Sequence, residues 1–424
     1  MPRLTCISSD GHATAVMADY RDYLETRYLE EFDAFLVEWE LHGSRNFDPP
    51  ALSKRLGPAD IDDWKARFLD NGRLDGNSDP QRRLKEMESE GVVAEVLFPD
   101  FGTPFELYSA QLASALGVAR RDEEHTQIGN RAFNRWLADF VSTAPDRFVG
   151  MGAVSWSDVD TALADIRAVH KLGLSGIVLP HFPLERPLYH PDFEPVWNLL
   201  DELGLIVNSH GAMSSTSDLP IFTPGLPHPG CSSRLMFPQL TFFQYNMLTH
   251  LIYGAVLERH PDLTFVFTEM GTDWVVPALR DMDYSYEGSY YRDDFKSVIR
   301  SKPSDYYFRQ CYMGSSIFTK AEIDHRYQIG LDKMMLGMDY PHHEGTLIET
   351  TQNYLQATLG AAEVPLDEAT KLVGGTAAKV FGFDLTRLDA LATEIGPEAD
   401  DILTPPEVDL FPRGDVHRPG PLVG

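Results

Sequence analysis

Leu336-Gly337-Met338-Asp339-Tyr340-Pro341-His342-His343-Glu344-Gly345 is the stretch on which the reading of this chain turns. A short apolar run, Met334 to Met338, stops at a carboxylate, and a pair of histidines follows. Apolar runs this short read as buried strands. A carboxylate at the exit of a buried strand needs a partner or a metal, because burying it alone is too costly. The pattern repeats: Leu4 to Ser9 runs into Asp10-Gly11-His12, and Leu205 to Ser209 runs into His210. Strand ends that deliver His and Asp to one place make a metal site.

Outward from these three, eight apolar runs have the length of buried strands: Leu4–Ser8, Val92–Phe98, Phe148–Val154, Gly176–Leu179, Leu205–Asn208, Thr264–Thr268, Cys311–Ser315 and Lys333–Met338. Between most of them lies a segment with apolar residues at helical spacing, such as Asp158–Lys171, Asp192–Leu203, Leu240–Arg259 and Lys320–Ile329. Alternating strands and helices call for a parallel sheet, and eight such units predict an α/β protein of the closed (β/α)8 TIM-barrel type. An open doubly wound sheet is the competing architecture, but no Gly-rich phosphate loop follows any strand.

The barrel is expected to occupy residues 1–385, with long insertions after strands 1, 5 and 6 and a C-terminal extension over 386–424. Residues 15–90 read as a lid and 211–238 as a pocket wall. The Tyr-rich segment 281–310 reads either as a third pocket insertion or as a subunit interface. From about residue 396 the prolines Pro397, Pro405, Pro406, Pro412, Pro419 and Pro421 predict an extended tail.

The chain has 424 residues, with 64 acidic against 36 basic side chains and a formal net charge of −28. Nucleic-acid binding needs a basic footprint, and an anionic membrane surface repels such a charge, so neither is an expected partner. Cys6, Cys231 and Cys311 are scattered and odd in number, which suggests no disulfide framework or zinc knuckle. Without an apolar leader or a membrane-length apolar run, a cytoplasmic location is expected, with a small-molecule substrate and assembly as a homodimer.

Active groups in this fold emerge where strands end. Those positions hold Asp10 and His12, Asp100, Trp156, His181, His210, Glu269, Ser315 and Ser316, and Asp339. Six of the eight strand ends thus offer a His or a carboxylate, a set hard to explain without a cation. His12 and His210 read as ligands. Asp10 reads as a ligand or as a turn residue before Gly11. His181 reads equally as a ligand, a substrate contact or a surface histidine, and Glu269 as a metal ligand, a general base or a helix-capping partner. Trp156, Phe182 and Tyr340 suit an apolar or aromatic substrate. Arg234 suits a substrate carboxylate or phosphate, or a surface ion pair.

The segments Ser9-Asp10-Gly11-His12, Ile206 to Gly211, Leu257 to Leu263, Glu269 to Trp274, Gly337 to His342 and Gly374 to Gly382 resemble the amidohydrolase superfamily. The likeness is to its branch of TIM-barrel metal-dependent hydrolases and decarboxylases, and it extends from Ser9 to about Phe383. It implies His12, His210 and Asp339 as metal ligands and Asp10 as a further one. It also implies that Asp339 doubles as a base and that His342 sits at the pocket edge. Thr14 and Ala15 stand where many members carry a second His or a Glu. Glu269 stands where decarboxylases of the branch carry a His, and Thr376 where the C-terminal segment usually has Asn.

One or two divalent ions, Zn²⁺, Mn²⁺ or Fe²⁺, suit such mixed nitrogen and oxygen donors. The reaction expected first is hydrolysis of an amide, ester or lactone bond of a small, largely apolar or aromatic carboxylate-type substrate. Metal-activated water would attack, Asp339 or Glu269 would move the proton, and His181 or His342 would polarise the carbonyl. Two alternatives stand beside it: non-oxidative decarboxylation, and oxygenation by a non-heme iron or di-iron centre built from the same carboxylates.

Overall fold

The computed structural model describes residues 2–42, 58–100, 103–106, 122–180, 182, 186–211, 230–288, 293–342 and 350–407. Eight strands form one parallel sheet in sequence order: β1 Cys6–Ala13, β2 Val92–Pro99, β3 Phe148–Ala153, β4 Gly176–Val178, β5 Ile206–His210, β6 Phe265–Thr268, β7 Cys311–Ser315 and β8 Met334–Leu336. The sheet curls until β8 returns to β1, so the expected (β/α)8 barrel is the fold. No continuous ladder joins those two strands. A bridge between Gly11 and Tyr340 closes the seam, with Asp339 N–H donating to Asp10 O at 2.8 Å and His12 N–H to Tyr340 O at 2.7 Å.

Strand alternation divides the core in two. Ile7, Val96, Phe98, Ile206, Val266 and Met335 fill the inside of the barrel, while Leu97, Val207, Phe265, Phe267 and Leu336 face the helical layer. Helices Val159–Lys171 and Glu194–Leu203 lie where helical spacing predicts them. Each bears the end signals expected of it: Asp158 accepts from Thr161 N–H at one start, and Gly204, with φ +65°, ends the other.

The three long connections have structure of their own. Helices Leu29–His42 and Pro80–Ser89 precede β2, helix Gly230–Tyr253 lies between β5 and β6, and Val275–Gly288 and Pro303–Gln310 lie between β6 and β7. Tyr284 and Tyr286 belong to the helix Val275–Gly288, the first exposed and the second buried. After β8, helices Thr376–Phe381 and Leu385–Ile395 plug the N-terminal end of the barrel through Ala377, Phe381, Leu388 and Ala392.

The stretch after residue 396 holds a further short helix, Ala399–Leu403, whose Ile402 is buried. It is pinned to the N-terminus by Leu4 N–H to Pro397 O at 2.9 Å and Ala399 N–H to Pro2 O at 3.0 Å. Proline spacing hides this helix because its contacts are with the other end of the chain. Residues 408–424 of the expected tail, and 212–229 of the expected pocket wall, lie outside the described residues. Among the described residues no helix is long and apolar enough to cross a membrane.

Candidate metal centre

The strand that carries Asp10 and His12 runs five residues beyond its apolar part. The pairing of β1 with β2 slips between Ser8 and Gly11, then resumes with Gly11 opposite Leu97 and His12 opposite Phe98. A bulge of this kind re-aims side chains at a barrel rim, and here both Asp10 and His12 enter the same buried space, each 0% exposed. On β5 the alternation that points Ile206 inward points Asn208 and His210 inward too. Asn208 donates to Thr268 Oγ1 at 2.7 Å and fixes the level of the strand. Beyond β8, Gly337 lets the chain pass close: a Cβ there would sit 2.3 Å from Ser315 O and 2.7 Å from Asp10 Cβ. Asp339 then turns inward with φ +51°, and Glu269 leaves β6 with φ +71°. Non-glycine residues held in the left-handed region tend to collect at functional sites.

The groups meet at short range. His210 Nε2 lies 3.2 Å from Asp10 Oδ1 and its Nδ1 3.1 Å from Glu269 Oε2. His12 Nε2 stands 3.3 Å from Asp339 Oδ1 and 3.6 Å from Asp10 Oδ1. His342 bridges two carboxylates, Nδ1 to Asp339 Oδ1 at 2.8 Å and Nε2 to Asp100 Oδ1 at 3.1 Å. Ser316 Oγ donates to Asp10 Oδ2 at 2.5 Å, and Asn77 Nδ2 to Asp100 Oδ2 at 2.8 Å. The ring of Phe98 packs beneath His12 and His210, with centroids 6.1 and 4.8 Å away.

A cation fits this arrangement on three grounds. Four carboxylates face three imidazoles, so the cluster stays negative even with every ring protonated, and uncompensated buried charge costs several kcal/mol per ion. The Nδ1–H of His12 is committed to Pro99 O at 2.7 Å, which leaves Nε2 as the lone-pair nitrogen; no hydrogen bond reaches it among the described residues. A backbone carbonyl on the far nitrogen is the usual way a ligating imidazole is oriented. Asp339 Oδ2 is also buried without a hydrogen bond among the described residues. Ligand atoms of Asp10, His12 and His210 lie within 4.8 Å of one another, as do those of His12, Asp339 and His342. These two groups of side chains could hold a divalent metal ion.

Protons answer the same negative charge. Burial favours neutral imidazole at His210, but Asp10 and Glu269 outweigh it and push the group up to about 10. His342 is raised as well, because Asp339 and Asp100 overcome its desolvation. Burial would raise the Asp339 carboxyl, yet His342 and His12 hold it well below the usual carboxylate range.

A pH dependence follows. The proton on His210 stabilises the metal-free fold fully below about pH 6.5, and that contribution disappears as pH rises through about 10. A bound cation must displace such protons. Mn²⁺ affinity measured by calorimetry is therefore expected to rise up to about tenfold per pH unit, per proton displaced, between about pH 6 and 9. Over the same interval the melting temperature of the metal-free protein should fall. An affinity flat with pH would show that no proton leaves.

Tyr340 turns away from the cluster: its hydroxyl donates to Arg73 O, and its ring lies under Arg83. Its side chain packs against Arg83 and not into the cluster. Trp156 and Phe182 are buried together, rings 5.2 Å apart, with Phe193 and Trp197 against Trp156. His181 lies outside the described residues, as does the side chain of Arg234, which is on helix Gly230–Tyr253. Asp100 and Ser316 complete the cluster from strand ends that gave no role in the sequence beyond their position.

The fold has counterparts. An amidohydrolase family model matches residues 98–383, well over half of the chain. The 2-amino-3-carboxymuconate-6-semialdehyde decarboxylase of Dictyostelium discoideum is 23% identical over 340 residues, covering 76% of this chain and 82% of that protein. The gamma-resorcylate decarboxylase of Rhizobium sp. (strain MTP-10005) is 23% identical over 321 residues, covering 73% and 89%. A dihydroxybenzoic acid decarboxylase of Polaromonas sp. JS666, solved with bound manganese and 2-nitroresorcinol, superimposes with a TM-score of 0.55 at 16% identity over 91% of this chain and 98% of that one. The decarboxylase names of these relatives overturn the expectation of amide, ester or lactone hydrolysis, which rested on the metal-activated water common to mixed-ligand sites and not on any feature that selects water over a carboxylate. The match from the second strand to past the eighth, over a barrel whose rim gathers these His and Asp residues, places the chain in the amidohydrolase family.

Proposed function

We propose that this chain catalyses the metal-dependent, non-oxidative decarboxylation of a small aromatic or unsaturated acid, with hydroxylated benzoates as the first class to try. The observation that carries the reading is the buried meeting of Asp10, His12, His210 and Asp339 with a histidine held between two carboxylates, in a chain whose relatives include dihydroxybenzoate decarboxylases. Asp10, His12, His210 and Asp339 would hold the cation, and the donor set suits Mn²⁺, Zn²⁺ or Fe²⁺, with manganese favoured by its presence in the Polaromonas structure. When bound, the ion supplies an electrostatic anchor for the acid's oxygens and stabilises developing negative charge.

The chain's own residues supply the rest. Loss of CO₂ leaves a carbon that must gain one proton, so the reaction needs a donor close to the anchored acid. His342 fills that role: it is held cationic by Asp339 and Asp100, and it touches the ligand set directly. Glu269, beside His210, offers an acceptor. Its carboxylate favours a substrate that carries a hydroxyl or amino donor beside the acid. Phe98 gives the floor an aromatic surface.

The test is a panel of hydroxybenzoates incubated without oxygen, using metal-stripped protein and the same protein restored with Mn²⁺. Release of one CO₂ per descarboxylated product, only after restoration, is the expected result. Turnover that needs O₂, or loss of substrate without CO₂, would sink the reading.

A further inference from the structure

We propose that the buried pair Arg83–Glu95, outside the ligand set, positions the metal ligands by tying together the two chain segments that meet at the barrel seam. The inference rests on Asp10, His12 and Asp339 being ligands, and it concerns what holds them at their spacing.

Glu95 is a lone charge in a strand whose eight residues are all buried. Strand alternation turns it away from the barrel interior, toward helix Pro80–Ser89, which brings Arg83. Arg83 Nε donates to Glu95 Oε2 at 2.7 Å, with the two side chains 1% and 2% exposed. The remaining arms of the guanidinium reach backbone. Nη1 donates to His12 O at 2.9 Å and to Gly76 O at 3.4 Å, and Nη2 to Tyr340 O at 3.4 Å. The guanidinium carbon sits 4.0 Å from the centre of the Tyr340 ring.

Those carbonyls are the informative part. His12 is a ligand on β1, and Tyr340 follows the ligand Asp339 beyond β8. The seam between them lacks a ladder and closes through one bridge, Gly11 to Tyr340. One planar fork thus bonds to both sides of the least paired joint in the barrel, at the level where the ligands leave it. Lysine offers no such fork.

The contact also explains the glycine in Asp10-Gly11-His12. A Cβ at Gly11 would lie 2.2 Å from Glu95 Oε1 and 2.8 Å from Arg83 Nη2, so the ion pair packs directly on the residue between two ligands. A pair serving stability alone has no need to press on that residue or to hold carbonyls from both ligand-bearing segments.

The test uses three full-length proteins: the parent, Arg83→Lys, and the double variant Arg83→Met with Glu95→Met. The double variant leaves no orphaned charge, and such apolar replacements of buried pairs commonly fold. Mn²⁺ affinity is measured by calorimetry, the spectrum of bound Mn²⁺ by electron paramagnetic resonance, and metal-free melting by scanning calorimetry. Both variants are expected to unfold cooperatively, to bind Mn²⁺ about 10–100-fold more weakly, the range seen when outer partners of a metal site are removed, and to give an altered Mn²⁺ spectrum. If a folded variant keeps the parent's affinity and spectrum while only its melting temperature drops, the pair is structural and the proposal fails alone. A parent that takes up no divalent cation overturns the metal centre, and the proposal with it.

Discussion

His12→Ala and His210→Ala proteins are expected to bind Mn²⁺ more than about a hundredfold more weakly than the parent, because removing even an outer-shell partner costs about 10–100-fold. The two variants differ in what else they disturb. His12 donates from Nδ1 to Pro99 O and turns Nε2 toward Asp339 and Asp10, so its removal costs the metal-free fold about 1 kcal/mol for the backbone bond, along with its contact to those carboxylates and the packing of the ring on Phe98. His210 stands between Asp10 and Glu269 and balances both. Taking it away leaves buried carboxylates without their cation, a loss of about 3–5 kcal/mol for a broken buried pair. The His12 variant is therefore the cleaner test, with a smaller loss of melting temperature than the His210 variant and little metal. His210→Gln, which retains a hydrogen-bond donor beside Asp10, guards against reading misfolding as loss of a ligand. Full metal stoichiometry at parental affinity in both alanine variants would place the ion, if there is one, away from these histidines.

The order and type of every strand were legible in the sequence, since an apolar run of four to eight residues between helical segments leaves little else to form. The rim was legible in part. Asp10, His12, His210, Glu269 and Asp339 declare themselves because each ends an apolar run with a polar group. The strand containing Asp10 and His12 reads too short, because the slip in its pairing with β2 is a property of two strands and not of one. Asp100 marks the end of β2, but its partner His342 lies 242 positions away, and only the closed barrel brings them to 3.1 Å. Tyr340 misleads for a related reason: proximity to Asp339 in sequence suggests the pocket, while the turn sends its ring to the outer side against Arg83. Glu95 did leave a trace, a single charge inside Val92-Val93-Ala94-Glu95-Val96-Leu97-Phe98. A buried charge demands a partner; that the partner is Arg83, and that the pair grips the ligand-bearing segments, belongs to the packing of helix on barrel.

Asp339→Asn is expected to lower CO₂ release at least about a hundredfold, the scale of a lost proton-handling group, in a protein that still folds. The backbone makes this substitution informative. Asp339 holds φ +51°, a conformation Asn adopts more readily than most residues, and the amide is nearly the same size as the carboxylate. The change therefore removes charge and little else. Two consequences can be separated. His342 loses one of the two carboxylates that keep it protonated, so its pKa falls toward the ordinary imidazole value and any remaining activity should shift its pH profile to lower pH. The site also loses one anionic ligand, so Mn²⁺ affinity drops. Assays at saturating Mn²⁺ divide these effects: if the hundredfold deficit persists with metal fully bound, the proton path through Asp339 and His342 carries it. If saturating metal restores parental turnover, Asp339 serves the ion alone, and His342 must draw its proton by way of Asp100. Normal turnover without added metal would remove Asp339 from both roles.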